Sequence, residues 1–302
     1  MSKKDYAVYY VIVAAIFWGM IGIFVKGLKE IGFEPMEIVA IRAISTSLIL
    51  VFFGLLSKRD SLRVTWRSVP FFIGTGILSI VFFNWCYFYS MDKLSISTAV
   101  ILLYTAPIFV VLLSSIFLNE KLTLKKLALV LLTVVGCGFV TGIDSSGMES
   151  NQLIGYLIGL GAGLGYAMYS IFGKFALKKH SSFTVTTYTF IFASIALIPV
   201  TKLWEKKSLF LHSDVFFHIF GLCIISTIAA YLFYTAGLNK MESSKASLLS
   251  TIEPVAAMGV GLFVFNESLD IFQWIGAILI LSAVAIFSIP SKLKVSWESS
   301  SL

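Results

Sequence analysis

Residues 102–120 read LLYTAPIFVVLLSSIFLNE, and residues 249–267 read LSTIEPVAAMGVGLFVFNE. At an offset of 147, the two segments share a leucine at the start, a proline at the sixth position and an Asn-Glu pair at the end. A second match, at an offset of 148, aligns WGMIGIFVK (residues 18–26) with YAMYSIFGK (residues 166–174). The chain therefore reads as a duplication. A proline in mid-helix breaks helices in water but is tolerated in a membrane, where it often marks a functional bend.

The composition indicates an integral membrane protein. Of 302 residues, 58% are hydrophobic and 13% are charged, and the mean hydropathy is +0.93, which is more apolar surface than one soluble core can bury. The net charge of +7 does not indicate nucleic-acid binding, because the lysines and arginines are scattered in short loops without a basic stripe. All three cysteines lie in apolar stretches, so the sequence predicts no disulfide framework, metal pair or cofactor.

Ten apolar stretches are long enough to cross a bilayer, which predicts an all-α membrane protein with ten transmembrane helices. The first runs directly into the repeated unit, so we interpret it as a retained helix and not a cleaved signal peptide. The linker at residues 143–152 is the longest weakly apolar one, which divides the chain into repeats at residues 1–147 and 148–302. The predicted spans lie near residues 6–25, 36–56, 69–90, 95–118, 124–142, 152–172, 183–201, 214–237, 244–265 and 270–289.

The distribution of lysine and arginine predicts the orientation. Loops on the side of the N-terminus carry sixteen of these residues and the opposite loops carry six, the remaining one being Arg42 inside a span. Because cytoplasmic loops keep the excess, both termini are predicted to be cytoplasmic. With five helices in each repeat, the second copy must enter the membrane from the opposite face. Inverted repeats of this kind are the architecture of alternating-access transporters, with the substrate bound near the midplane.

The chain resembles the drug/metabolite transporter superfamily, and within it the bacterial transporters with two EamA repeats, over residues 6–290. The resemblance implies a ten-helix secondary transporter of the bacterial cytoplasmic (inner) membrane, but it does not specify the substrate. The two halves also differ, because Arg42 has no counterpart near Thr189. The residues that carry the resemblance are Trp18-Gly19, Lys26, Arg42, Tyr104-Thr-Ala-Pro107, Asn119-Glu120, Glu253-Pro254 and Asn266-Glu267.

Two charged residues inside the spans are candidates for coupling and binding. Glu253 falls near the midplane, where a carboxyl group is a functional candidate by default, and a desolvated carboxyl group that resists ionisation could exchange a proton against substrate. It could instead be a protonated structural residue that bonds a carbonyl freed by Pro254. Arg42, in the outer third, could bind an anionic substrate group or pair with Glu253, or its side chain could extend outward to the interface.

Aromatic and polar residues in the middle of the spans are candidates for a substrate cavity. The repeat alignment pairs Trp18 with Tyr166 and Asn84 with Tyr231, and Tyr234 has Tyr87 as its counterpart. Interfacial belts would place Trp and Tyr at the ends of spans instead, although a tyrosine in a bundle core is often simply hydrogen-bonded packing. The predicted substrate-binding residues are Trp18, Asn84, Tyr87, Tyr104, Tyr166, Tyr231, Tyr234 and Ser250, with Thr251 as a weaker candidate.

Charged residues near the ends of the predicted helices are interpreted mainly as structural. Lys26 and Lys174 close their helices at opposite membrane faces, which fits snorkelling or pairing with the helix dipole. Glu120 and Glu267 follow asparagines and are predicted to be helix caps or gate contacts.

Glycines 155, 159 and 163 recur at every fourth position of the sixth helix, a pattern that lets helices approach closely. They could form a seam in a homodimer, but internal packing is favoured in a ten-helix bundle.

The sequence thus predicts a secondary active transporter of a small metabolite or amino acid, proton-coupled and exporting, whose partners are its substrate, protons and the lipid bilayer. An alternative is a proton-coupled importer of an organic cation such as a quaternary amine, held by Trp18, Tyr104, Tyr166 and Glu253. A lipid flippase or a membrane sensor is a further alternative. We find no P-loop, HExxH or GxSxG motif, so ATP coupling and enzymatic activity are not expected.

Overall fold

A computed structural model describes residues 5–142 and 153–288 of the chain. Ten of its helical segments are long and apolar enough to cross a membrane, which confirms the prediction of a multi-pass all-α protein. The predicted repeat boundary at residues 147 and 148, and lysines 3, 4, 292 and 294, lie outside the described residues. Spans 1 to 10 are Tyr6–Ile31, Pro35–Ser57, Trp66–Lys93, Ile96–Phe117, Leu124–Thr141, Leu153–Ala176, Ser182–Thr201, Ser213–Lys240, Ser243–Val264 and Ile271–Ser288.

Several spans contain more than one helix. In the first half the α-helices are α1 (Asp5–Gly19), α2 (Ile21–Ile31), α3 (Pro35–Ser57), α4 (Val69–Ile73), α5 (Phe82–Lys93), α6 (Ile96–Leu103), α7 (Ala106–Phe117) and α8 (Leu124–Thr141). In the second half they are α9 (Leu153–Ala176), α10 (Ser182–Thr201), α11 (Ser213–Cys223), α12 (Ala230–Lys240), α13 (Ser243–Ser250), α14 (Glu253–Val264) and α15 (Ile271–Ser288). Spans 3 and 8 each contain a π-helical segment, Gly74–Val81 and Ile224–Ala229. Short 3₁₀ helices cover Arg59–Leu62, Trp66–Ser68 and Leu203–Leu211.

Spans 4 and 9 are each broken at the proline that the sequence analysis singled out. Span 4 divides between α6 and α7, and span 9 divides between α13 and α14. Pro107 and Pro254 lie in the first turn of the second piece. A first-turn proline has no N–H that needs a helical partner and its φ angle already suits a helix. The predicted bend is therefore a helix break with a new helix start near mid-span.

The Asn-Glu pairs end both of these spans by the same backbone geometry. Asn119 has φ of 54° and Asn266 has φ of 53°. Asparagine is among the few residues besides glycine that readily adopt this left-handed conformation, which terminates an α-helix. The predicted helix stops are thus confirmed in both halves.

The first span is longer than its apolar pattern predicts. The prediction ended it at residue 25, whereas α2 continues to Ile31 and is closed by Gly32, whose φ is 114°. Lys26 and Lys29 therefore lie on the helix, and the expectation that Lys26 closes it was wrong. Long lysine stems can lie along an apolar surface while their ammonium groups reach water, so a lysine does not end a span.

The spans pack in a pattern that repeats between the halves. Span 1 contacts spans 8 and 9, and span 6, its counterpart five positions later, contacts spans 3 and 4. Spans 2 and 7 contact each other, as do spans 5 and 10. The glycines of α9 face this interior, because a Cβ atom on Gly159 would collide with Leu102 and one on Gly163 with Thr105. The glycine row therefore serves internal packing.

Candidate functional site

Four of the predicted aromatic residues form one cluster in the middle of the bundle. Trp18, one residue before the end of α1, packs its ring against Tyr231 and Tyr234 with centroid distances of 5.2 Å and 5.0 Å. The Tyr166 ring, on α9, lies 6.2 Å from Trp18 in an edge-on arrangement. Such tilted and edge-to-face contacts are the favoured geometries of aromatic pairs. The cluster joins spans 1, 6 and 8 into one aromatic surface.

The Glu253 carboxylate adjoins this cluster. It is the first residue of α14, so it lies at the helix end where backbone N–H groups favour negative charge. The Tyr166 hydroxyl donates a hydrogen bond of 3.1 Å to its Oε2 atom, and the Tyr104 hydroxyl lies close to the same carboxylate. The helix break therefore places a partly buried carboxylate beside two phenol groups from spans 4 and 6.

Two small cavities flank Tyr166. One is bordered by Tyr104, Ser250 and Thr251, and the other by Trp18 and Tyr231; each has a volume of about 10 Å³. A space of this size holds about one water molecule. These two cavities beside the aromatic cluster are therefore too small for a molecule much larger than water.

Arg42 lies in the same bundle, and among residues 5–142 and 153–288 it has no close acidic partner. It is only 7% exposed, and its Nε and Nη2 atoms have no hydrogen-bond partner in the described part of the chain. Its charge acts electrostatically on Glu253, but the ion pairs recorded among residues 5–142 and 153–288 do not include Arg42. Arg42 and Glu253 thus interact electrostatically over a longer distance than that of a salt bridge.

The remaining predicted residues make mainly local contacts. The Asn84 side-chain amide donates to the carbonyl of Ile80, 2.7 Å away on its own span. The hydroxyls of Ser250 and Thr251 donate to carbonyls one turn earlier, which uses their donors but leaves them beside the small cavity. Tyr87 packs in the neighbouring apolar cluster that includes Tyr166.

Tyr169 also belongs to the aromatic cluster, although it is not among the predicted substrate-binding residues. Its ring lies 5.1 Å from Tyr231, and its hydroxyl shares a 2.7 Å hydrogen bond with Thr235. Tyr169 is one turn after Tyr166 on the same helical face, but the repeat alignment pairs it with Ile21 and so gave no signal. Helical periodicity from Tyr166 could have identified it.

The EamA-like transporter family model matches residues 5–142 and 153–289, which is nearly the whole chain. The chain belongs to the EamA-like transporter family. It is therefore a membrane transporter and not an enzyme. A relative from Archaeoglobus fulgidus, named "Uncharacterized transporter", is 26% identical over 277 residues, covering 91% of this chain and 94% of its own.

A second relative of this EamA-like transporter, from Salmonella typhimurium, is named "Uncharacterized inner membrane transporter YicL"; it is 21% identical over 293 residues, covering 93% of this chain and 95% of its own. A solved structure, described as "Crystal structure of protein", superimposes with a TM-score of 0.80 at 18% identity, covering 94% of this chain and 96% of that chain. This similarity supports the fold of the bundle.

On one membrane face of this EamA-like transporter, a carboxylate of the first half binds the start of a helix of the second half. At the face where span 4 ends and span 9 begins, hereafter the Glu120 face, Oε1 of Glu120 accepts the Ser243 backbone N–H at 2.5 Å. Its Oε2 atom accepts the Ser244 N–H at 3.1 Å and the Ser244 hydroxyl at 2.6 Å. These three bonds, the Glu120 latch, cap α13. Lys126 reinforces this face through a 2.6 Å ion pair with Glu242.

The opposite face, where span 4 begins and span 9 ends, does not repeat this arrangement. The carboxylate of Glu267, the counterpart of Glu120, lies against Gly261 of its own span. The start of α6 is capped by Ser95, whose Oγ atom accepts the Thr98 N–H. Ser97, the counterpart of Ser244, donates to the carbonyl of Thr141 at 2.7 Å. The predicted role of Glu120 as a cap is thus observed across the halves, while Glu267 has different surroundings.

Proposed function

We propose that this transporter is a proton-coupled secondary carrier that exports a small metabolite or amino acid by alternating access. The observation that carries the proposal is the position of Glu253, at a helix break in mid-span and hydrogen-bonded by Tyr166. Burial opposes a charge on this carboxyl, whereas the helix N-terminus and the phenol groups favour one. These opposing effects suit a group that changes its protonation state during a transport cycle.

The proposed architecture is two inverted five-helix repeats, residues 1–147 and 148–302. Supporting it, the contacts of span 1 with spans 8 and 9 recur as contacts of span 6 with spans 3 and 4, and the pairs of spans 2 and 7 and of spans 5 and 10 are each their own counterpart. The helix breaks and the left-handed asparagines also recur at the offset of 147. The excess of basic residues on the Glu120 face supports our proposal that this face is cytoplasmic. The membrane we propose is the bacterial inner membrane, in keeping with the name of the Salmonella relative.

The two faces support alternating access. The Glu120 latch holds α13 at one face, whereas Glu267 leaves the start of α6 uncapped by the other half. In inverted repeats, the second state is obtained when the halves exchange conformations. We therefore propose that this structure represents the state in which the Glu120 latch holds the two halves together at the cytoplasmic face. In the opposite state, Glu267 accepts the N–H groups of Ile96 and Ser97 and the Glu120 latch is broken.

The test uses purified transporter in proteoliposomes that contain a pH-sensitive dye. Amino acids, organic acids, nucleosides and quaternary amines are added in turn, and proton movement is followed without an imposed voltage. At least one class is expected to move protons through the wild type. Glu253→Gln is expected to bind that class but to move no protons with it, whereas Glu205→Gln, a change to an exposed carboxylate outside the spans, should behave as the wild type.

Proton movement that is unchanged in Glu253→Gln would contradict the coupling role and leave Glu253 as a structural residue. An absence of substrate-driven movement for every class would contradict secondary transport of small metabolites. The alternative function, an importer of organic cations, predicts a different set of active compounds. It requires quaternary amines that have no acidic group to bind and to move protons.

A further inference from the structure

Unused hydrogen-bond donors gather between spans 2 and 8. Within the part of the chain that the structure describes, the buried side-chain atoms without a hydrogen-bond partner include Nε and Nη2 of Arg42, Oγ1 of Thr46 and Oγ of Ser226. All three residues are more than nine-tenths buried, at 7%, 0% and 0% exposure. Buried polar groups are normally hydrogen-bonded, and a buried charge normally has a counter-charge. Three such residues together therefore indicate a missing partner.

The three residues share one interface. Arg42 and Thr46 are four residues apart on α3, which places them on the same helical face. Ser226 lies in the π-helical segment of span 8, which packs against α3. Cys223, one turn before Ser226, has its thiol 3.9 Å from the carbonyl of Arg42 and next to Thr46. The donors thus converge from two spans.

The unpartnered atoms of Arg42 specify the shape of the partner. Nε and Nη2 are the two nitrogens on one edge of the guanidinium plane, and their N–H groups run parallel. This edge matches the two oxygens of a carboxylate, which it binds with two parallel hydrogen bonds. The hydroxyls of Thr46 and Ser226 can donate to the remaining lone pairs of the same oxygens.

We propose that Arg42, Thr46 and Ser226 form a subsite for a carboxylate group of the transported substrate. The inference rests on the proposed transport function and names its substrate class. Across the bundle, Glu253 lies close enough for Arg42 to influence it electrostatically, with Tyr231 also within the electrostatic range of Arg42. The site therefore offers a cationic end for a carboxylate and an acidic, aromatic end for an amine. An amino acid or a betaine carries both groups.

The surroundings of Arg42 are not those expected of a purely structural arginine. A purely structural arginine would be expected to have a protein carboxylate or carbonyl groups at its edge, because an unpaired buried charge destabilises a protein strongly. The ion pairs of the described residues, such as Lys126–Glu242 and Lys206–Glu37, lie elsewhere. The charge at residue 42 is therefore kept for a ligand.

Matched compounds test the proposal in thermal-shift and binding experiments on the full-length protein in nanodiscs. Glycine betaine and choline share a quaternary ammonium group, but only betaine has a carboxylate. Each L-amino acid is likewise compared with its α-amide. We expect the melting temperature to rise with at least one carboxylate-bearing compound and not with its matched amide or alcohol. Equal stabilisation by both members of the effective pair, or by choline alone, would overturn the proposal.

Variants then locate the effect. Arg42→Gln should weaken binding of the effective compound by roughly 30-fold or more, the usual range for losing one partner of a buried charged pair. Arg42→Lys should keep part of the affinity, because it retains the charge but not the two-pronged edge. Because the Arg42 charge is unpaired among the described residues of the ligand-free protein, its removal should not lower the melting temperature. The melting temperature of ligand-free Arg42→Gln therefore shows whether the variant still folds normally. Lys29→Gln, a basic residue on the outer part of α2, serves as the control and should bind normally.

Binding that is unaffected in Arg42→Gln would place the carboxylate elsewhere and overturn the subsite. A lower melting temperature of ligand-free Arg42→Gln would instead show that Arg42 is structural. Neither result depends on proton movement. The subsite can therefore fail while proton-coupled transport is retained, or hold while the coupling role of Glu253 fails.

Discussion

Replacing Glu120 by glutamine should open the face at which this residue caps α13. The carboxylate accepts three hydrogen bonds from Ser243 and Ser244. Glutamine has one acceptor oxygen, and its amide group would point N–H donors at the N–H groups of the helix. The change therefore removes the cap and the negative charge from the α13 N-terminus while keeping the size of the side chain.

The expected effect follows from the two losses. A helix cap stabilises by about 1 kcal/mol, and a negative charge at a helix N-terminus adds about 0.3–1 kcal/mol at an exposed site. The hydrogen bonds to a charged acceptor are stronger than average, so about 2 kcal/mol in total is a reasonable figure. Because 1.4 kcal/mol corresponds to a factor of ten, the open state should gain roughly 30-fold. An open population of about 1% would rise to roughly a fifth.

Spin-label distances across the Glu120 face provide the assay. Labels at Leu122, just after span 4, and at Asn239, near the end of span 8, are both exposed and report the distance between the two halves at this face. Cys86, Cys137 and Cys223 are all buried and are replaced first so that labelling is specific. In nanodiscs, Glu120→Gln is expected to add a longer-distance population that is nearly absent from the protein with Glu120 intact.

The counterpart residue supplies the control. Glu267→Gln removes a carboxylate that does not cap α6 in this structure. It should therefore leave the population with the short spin-label distance unchanged, or increase it by destabilising the opposite state. Distances that are the same in Glu120→Gln and in the parent protein would refute the latch. Equal opening by both variants would refute the proposed exchange between the two faces.

Three further changes have defined outcomes. Tyr166→Phe removes a hydrogen bond to a carboxylate, worth about 1.5–3 kcal/mol, and should slow proton-coupled transport in proteoliposomes at least about tenfold. Tyr169→Phe removes a hydroxyl that bonds Thr235 and should leave the transport rate unchanged. Gly163→Ala would bring a Cβ atom to 2.9 Å from a backbone carbonyl of α6 and should destabilise by about 1–3 kcal/mol in thermal melts, whereas Gly259→Ala, with nothing within 4 Å, should be neutral. Burial and then a nearby lysine lower the pKa of His180 from 6.5. The unfolded chain thus binds the proton more readily, so the melting temperature should fall as the pH drops below about 6.5, and less so in His180→Asn.

The spans and their breaks could be predicted because they depend on local rules. Apolar length sets the number of crossings, and Pro107 and Pro254 mark the places where a new helix begins. The end of span 1 could not be read from hydropathy, since Lys26 and Lys29 are compatible with a helix at the membrane interface. There the boundary is set by Gly32, whose left-handed backbone lets the chain turn away.

The site could be predicted only in part because it depends on contacts between distant segments. The repeat alignment identified Trp18, Tyr166 and Tyr231, whose rings do meet, but it gave no partner for Tyr169. The contact of Glu120 with the start of α13 joins residues 123 and 124 positions apart in the chain. Periodicity along one helix carries no information about such a distant partner. The Asn-Glu motif predicted a cap or gate contact for both Glu120 and Glu267, but it did not show which helix Glu120 would cap.

The proposed mechanism explains which functional residues recur in both halves and which occur in one half only. Glu120 and Glu267 are both glutamates, and the helix starts that they would cap both offer a serine hydroxyl, Ser244 and Ser97. Exchange between two states needs equivalent contacts at both faces. Glu120 and Glu267 must therefore each be able to cap a helix of the other half, one in each state. A small substrate with a carboxylate at one end has no such symmetry. A single site at the midplane therefore requires different residues from each half, which is consistent with an arginine at residue 42 in one half only.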